Sequence, residues 1–187
     1  RPDEGRYASV ALEMLRSGPM RALPPWNPEA QVPGLSRVLL RRSGLPIDTP
    51  LPGLFTQAGW DYARDYGTGV AVQKARAIAP VVIGKALPPE NHSPDLLMDR
   101  LQAETIETWN DWLADLRVQP FGQRDTAIIV SGTLAQPENP LTQLLREVWV
   151  QVGGRDRQRR HEQQLQLARE FGPMIQYVEQ GRMAQIS

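Results

Sequence analysis

Apolar positions recur along most of this chain at the three-to-four spacing of a helix, and breakers separate the periodic stretches. The clearest stretch runs from Ser93 to Arg117. Leu97, Leu101, Thr105, Thr108, Trp109, Trp112, Leu113 and Leu116 hold that spacing for about five turns, which predicts one long amphipathic helix. Ser93 suits the cap, Pro94 the first helical position, and Asp95 and Asp99 the positive end; Arg117 suits the last turn, and Pro120 closes the element.

Weaker patterns predict further helices at Tyr7 to Leu15, at Leu54 to Tyr66 with a break or bend at Gly59, and at Val70 to Ala79. Gln123 to Leu134 reads as a helix, although Thr126, Ile128, Ile129 and Val130 leave a strand open and Ser131-Gly132 suits neither. Asn139-Pro140 is a second cap-and-proline start, followed by Leu141, Leu144, Leu145, Val148 and Trp149 on one face. Gly153-Gly154 interrupts, and Gly172-Pro173 marks a new start for Met174 to Val178. Val38 to Arg42 and Val81-Val82-Ile83 are short enough, and β-branched or apolar enough, for extended pieces. Between Leu23 and Gly53 prolines and glycines crowd the chain, so regular helix is not expected after the Val38 stretch until Gly53 is passed. The fold class that results is mainly α: an irregular multi-helix bundle with one or two short extended segments and long Pro/Gly-rich loops. The chain reads as a single helical module over 1–187, with 1–90 and 91–187 as subdomains if it divides.

Composition narrows the chemistry. Lys plus Arg equals Asp plus Glu at 21 each, which argues against a generally basic nucleic-acid binder. There is no cysteine, so thiol catalysis and disulfides are excluded. No run of 18 apolar residues occurs, so nothing in this piece reads as a membrane span. It begins at Arg1 without a signal segment and reads as a piece of a longer protein.

Each candidate site has a simpler alternative. Glu104, Glu107, Asp111 and Asp115 lie opposite the Trp/Leu stripe; they read as a solvated or partner-facing surface before they read as catalytic acids. His161-Glu162 begins like a zinc-hydrolase motif, but Leu165 stands where the second histidine is needed, and His92 is the only other imidazole. Arg155, Arg157, Arg159 and Arg160 form a basic patch for protein contact, with phosphate or cell-wall binding as the rival. Gly67-Thr68-Gly69 lacks the rest of a phosphate loop. Trp109, Trp112 and Trp149 belong to the core, whereas Trp26 and Trp60, set in irregular chain, either pin loops or are exposed for a partner. No catalytic, cofactor or metal residue is expected.

From Ser43 to Trp60 the residues specify a constrained loop that delivers an apolar plug, Leu54-Phe55, behind Pro50, Pro52 and Gly53. Leu51-Pro52-Gly53-Leu54-Phe55-Thr56, with Gly59-Trp60 after two residues, resembles a hallmark of the IcmF/TssM family, with Trp60 in place of the usual Tyr or Phe. Arg21 to Trp26, Arg37 to Gly44, Trp109 to Val118 followed by Pro120-Phe121, and Pro140 to Arg146 resemble further blocks of that family in the same order. Asn139 replaces a serine, and Val81-Val82-Ile83-Gly84 lacks the family's tryptophan. The similarity runs from about residue 6 to 150. It implies a piece of a large inner-membrane component of the type VI secretion system, from the helical part of its periplasmic region. The implied role is structural, through contacts with other secretion-complex subunits or with itself, and without enzymatic activity. An outer-membrane lipoprotein would meet a β-sandwich beyond this piece. The rival readings are a cell-wall glycan hydrolase using the helix acids and a peptidoglycan- or nucleic-acid-binding module using the arginines at 155–160.

Overall fold

The computed structural model describes residues 23–67, 94–154 and 166–176, with positions 73 and 77. The described chain is mainly helical with one short two-stranded sheet. Its elements are α1 (Pro28–Gln31), α2 (Leu35–Val38), β1 (Leu39–Arg41), a 3-10 turn (Gly53–Phe55), α3 (Gln57–Tyr62), a π turn (Ala63–Gly67), α4 (Pro94–Ala114), β2 (Leu116–Val118), α5 (Arg124–Leu134) and α6 (Pro140–Gln151). A further helical segment covers 166–176.

The long helix α4 organises the rest. Leu97, Met98, Leu101, Thr105, Trp109 and Trp112 are buried along one side, as the spacing predicts. The 3-10 turn packs against α4, α2 packs on α5 and α6, α3 packs on α6, and α5 packs on α6. Described residues on both sides of position 90 share one apolar core, from Trp26, Leu35 and Leu54 to Leu144, Val148 and Phe171.

Several elements differ from the sequence expectation, each for a local reason. Helices α1 and α2 were not expected in the Pro/Gly-rich stretch. Each is a single turn, too short to show periodicity, and each is held by side chains. Asn27 Oδ1 accepts from the Ala30 N–H at 3.1 Å, with Pro28 at the first position. The Glu29 carboxylate accepts from the N–H groups of Gly34 and Ser36, at 2.8 and 2.9 Å, at the start of α2. The break after Phe55 falls at Thr56 rather than Gly59: the Thr56 hydroxyl donates to the Gly53 carbonyl at 2.6 Å and also caps α3.

Helix α4 stops at Ala114, so Arg117 lies on β2 and not in the last helical turn. β2 runs antiparallel to β1, with Leu39 opposite Val118 and Arg41 opposite Leu116. Leu116 to Val118 leaves the helix because β1 offers backbone partners there; the Arg42 N–H donates to the Asp115 carbonyl at 2.6 Å. Gln123 to Leu134 is helical, and the Ser131 hydroxyl donates back to the Ala127 carbonyl at 2.6 Å. Asn139 caps α6 through the Thr142 N–H at 2.9 Å, as its spacing predicts. The helix through 166–176 continues across Gly172-Pro173 instead of restarting there, with Leu167, Ala168 and Phe171 buried on one side. The expected helix at Tyr7 to Leu15 and the extended piece at Val81 to Ile83 lie outside the described residues. Of the expected helix at Val70 to Ala79, only positions 73 and 77 are described, and both are helical and exposed.

Candidate functional site

The segment that resembles a family hallmark is a structural joint. Leu54 and Phe55 are buried, and the N–H of the Trp109 indole on α4 donates to the Phe55 carbonyl at 2.9 Å. Trp60 on α3 enters the same interior, where its indole N–H donates to the Thr105 hydroxyl at 3.3 Å; Thr105 in turn donates to the Leu101 carbonyl at 2.7 Å. The glycines of the segment mark close approach of backbones. A Cβ on Gly53 would lie 2.6 Å from the Pro24 carbonyl oxygen, and one on Gly59 would overlap the Leu54 carbonyl.

Trp26 is tied to the same joint from the other side. Its backbone N–H and C=O exchange hydrogen bonds with Leu51, both at 2.9 Å. Its ring meets Trp109 and Trp112 edge-on, with centroids 5.0 and 5.4 Å away. Its indole N–H donates to Glu147 on α6 at 3.3 Å, and Glu147 also accepts from Gln151 at 2.7 Å. Trp26 and Trp60 are only 4% and 1% exposed, so of the two alternatives for them the structure shows loop pinning; offering either indole to a partner is corrected, because its surface is already spent on the core.

The four acids of α4 separate into different environments. Asp115 is clamped at the end of the helix. It accepts from the Ser43 hydroxyl at 2.6 Å, the Ser43 N–H at 2.7 Å and Arg41 Nε at 2.6 Å. Those bonds, the Ser43 hydroxyl first, lower its pKa to about 2 against an opposing desolvation. Asp115 therefore joins α4 to β1. Glu104 pairs with Arg100 at 3.0 Å along the helix. Glu107 and Asp111 are exposed. Arg155, Arg157, Arg159, Arg160, His92 and His161 lie outside the described residues. Among the described residues no three His, Cys, Asp or Glu side chains gather in a metal-binding group.

Sequence reasoning missed the Asp115 clamp and the Glu147–Trp26 link. The partners stand 72 to 74 and 121 positions apart, and no local pattern connects them. The signal for the first was the Arg41-Arg42-Ser43 run together with Asp115 just past the end of α4.

What the geometry defines is a helical module whose loops are locked onto one tryptophan-rich helix. A model of the family IcmF-related, intracellular multiplication and human macrophage-killing, matches residues 7–153. The chain belongs to this family. It is 33% identical over 127 residues to the type VI secretion system component TssM1 of Pseudomonas aeruginosa, an alignment covering 63% of this chain and 11% of that protein. The chain thus spans about a tenth of the length of the curated relative it matches. No solved structure matches it.

Proposed function

We propose that this chain is a structural module of a bacterial type VI secretion envelope complex, working through protein–protein contacts. The observation that carries the reading is the family match over residues 7–153, joined to a relative that is a component of that system. The internal design agrees with it. The motif that carries the family resemblance is consumed in packing: Phe55 and Trp60 hold loops on α4, Thr56 closes its own turn on Gly53, and Asp115 holds the end of α4. A module built in this way maintains spacing and presents a fixed outer surface.

By the same reading the module lies in the periplasmic part of an inner-membrane protein, 1–187 acts as one unit, and its partners are other core subunits or a second copy. No described helix is long and apolar enough to cross a membrane. The outer-membrane lipoprotein would be met by a region beyond this one. Glu107, Asp111 and the arginines at 155–160 remain the proposed contact groups from the sequence. The hydrolase alternative gains no support from Glu104 and Asp115, both of which are engaged with arginines.

The test is to mix the purified chain with each other subunit of the core complex, and with itself, in sedimentation velocity experiments. Co-sedimentation with a subunit is expected. Failure to bind any of them, combined with turnover of cell-wall glycan, would overturn the reading.

A further inference from the structure

The outer edge of β2 is open. Two backbone bonds bracket the β1–β2 ladder: the Arg42 N–H donates to the Asp115 carbonyl at 2.6 Å, and the Gln119 N–H donates to the Val38 carbonyl at 2.9 Å. Antiparallel pairs alternate, so Leu40 and Arg117 exchange the bonds that lie between these two. The Leu39–Val118 and Arg41–Leu116 pairs then turn their own N–H and C=O groups toward the outer edges. On the β1 side the chain itself takes two of these groups. The Leu39 N–H donates to the Leu35 carbonyl, and the Arg41 carbonyl accepts from the Gly44 N–H at 3.2 Å. On the β2 side, among the described residues, the Val118 N–H and C=O and the Leu116 N–H have no partner. The Leu116 carbonyl has only Arg42 Nε, at 3.4 Å. β1 is the main described element packed on β2, and Val118 is 41% exposed.

The same register sorts the side chains. Leu39, Leu116 and Val118 share one face of the sheet, and Leu40, Arg42 and Arg117 share the other. Leu39 is buried, so the first face turns inward, whereas Arg42 and Arg117 are exposed. The two arginines are diagonal neighbours across the ladder. Neither is paired with a described carboxylate. Asp115, the residue opposite Arg42, is already engaged by Arg41 and Ser43. Two free positive charges therefore stand on the exposed face of the strand whose edge is open.

We infer that the open edge of β2 receives an extended segment of another protein as a third strand, carrying a carboxylate beside Arg117 and Arg42 and an apolar residue beside Val118. This deepens the structural-module reading and rests on it. In strand addition the edge N–H and C=O groups supply affinity and alternate side chains supply specificity. Pro120, the next residue turned outward, has no N–H, so the receiving edge ends at Val118 and spans about 10 Å. A short edge flanked by charge and closed by proline deters strands in general. An acidic strand is the one whose approach the two arginines favour. A second copy of the edge does not supply it. Asp115 is the one acid between Ala114 and Gly122 and is engaged, and pairing Leu116 with Val118 of another copy opposes Arg117 to Arg117. An anionic lipid surface would use the arginines and leave the edge amides unpaired.

The experiment titrates the full 187-residue chain against each other component of the same secretion machinery, purified separately. It follows amide hydrogen exchange at Leu116 and Val118 and records thermal melts throughout. Both amides are expected to become protected in the productive complex. Val118→Pro removes an edge donor and no β1–β2 bond, and is expected to weaken that complex roughly tenfold. Arg42→Glu with Arg117→Glu is expected to weaken it at low salt and flatten its salt dependence. If Val118→Pro lowers the melt, wild-type protection of the Val118 amide and the arginine variant are read instead. Binding that leaves both amides unprotected overturns strand addition and leaves the structural-module reading standing, even where it depends on the arginines. Absence of binding to every component overturns both. Protection of these amides by self-association alone, or arginine-dependent binding to phosphatidylglycerol vesicles without protection, assigns a different occupant and overturns the proposal.

Discussion

The Trp109 indole donates its N–H to the carbonyl of Phe55, 2.9 Å away and 54 positions earlier in the chain. That bond lies in the interior, with both side chains buried, and it fastens the proline- and glycine-rich segment to the middle of α4. Trp112, one turn further along, is equally enclosed, but its N–H has no acceptor among the described residues.

The two tryptophans should therefore respond differently to the same change. Trp109→Phe removes the hydrogen bond to the buried Phe55 carbonyl, a loss of about 0.5–1.5 kcal/mol beyond the lost packing. Trp112→Phe loses packing without breaking a bond to a described group. Urea denaturation should rank Trp109→Phe as the more destabilising of the two. Trp112→Ala, which empties the site, should cost roughly 3–5 kcal/mol; an unchanged midpoint would contradict the core placement.

Glycine substitutions should have opposite signs at two positions. Gly59→Ala drives a methyl into the Leu54 backbone carbonyl, which cannot swing aside as a side chain can. It should destabilise by about 2 kcal/mol or more. Gly132→Ala adds a methyl in open space on a helix and should stabilise by about 0.5–1 kcal/mol. Thermal melts of the two variants measure both.

Asp115 predicts a dependence on acid. Its folded pKa, lowered to about 2, lies below the ordinary aspartate value of 3.8, so the folded form favours the carboxylate. The stability this contributes is fully present above the unfolded value and is lost as pH falls from about 4 toward 2. Asp115→Asn should flatten that part of the stability-against-pH curve. Ser43→Ala should shift the titration upward, because the Ser43 hydroxyl is the leading cause of the depression. An NMR titration of the Asp115 carboxyl carbon reads the shift directly.

Asn139→Ala should remove the cap that accepts from Thr142 and cost about 1 kcal/mol. Asn139→Ser should retain most of it, since a serine hydroxyl can accept the same N–H. Comparison of the two by denaturation separates capping from any other role of the position.

Legibility in the sequence followed the range of the interaction. The buried side of α4, the Asn139-Pro140 start and the Leu54-Phe55 plug each rest on residues within a few positions of one another, and each stands where its spacing places it. The one-turn helices α1 and α2 were invisible because four residues cannot show a period. Arg117 was misplaced because a helical pattern runs on through Leu116, while the Arg42 N–H waiting beside Asp115 lies far away in sequence. The exposed faces of Ile128 and Ile129 were equally hidden, since an apolar residue on a helix looks the same whether its neighbours cover it or not.

By itself the sequence determined the family, the mainly helical class, the absence of thiol chemistry and the inward side of the long helix, because these depend on residue type and local periodicity. The tertiary structure alone decided that Trp26 and Trp60 are interior pins, that Asp115 is a clamp between α4 and β1, and that Val118 on β2 and Ile128 and Ile129 on α5 stay exposed. Those outcomes depend on which distant segments meet. Burial and pairing across dozens of positions are properties of the packed chain, not of any window along it.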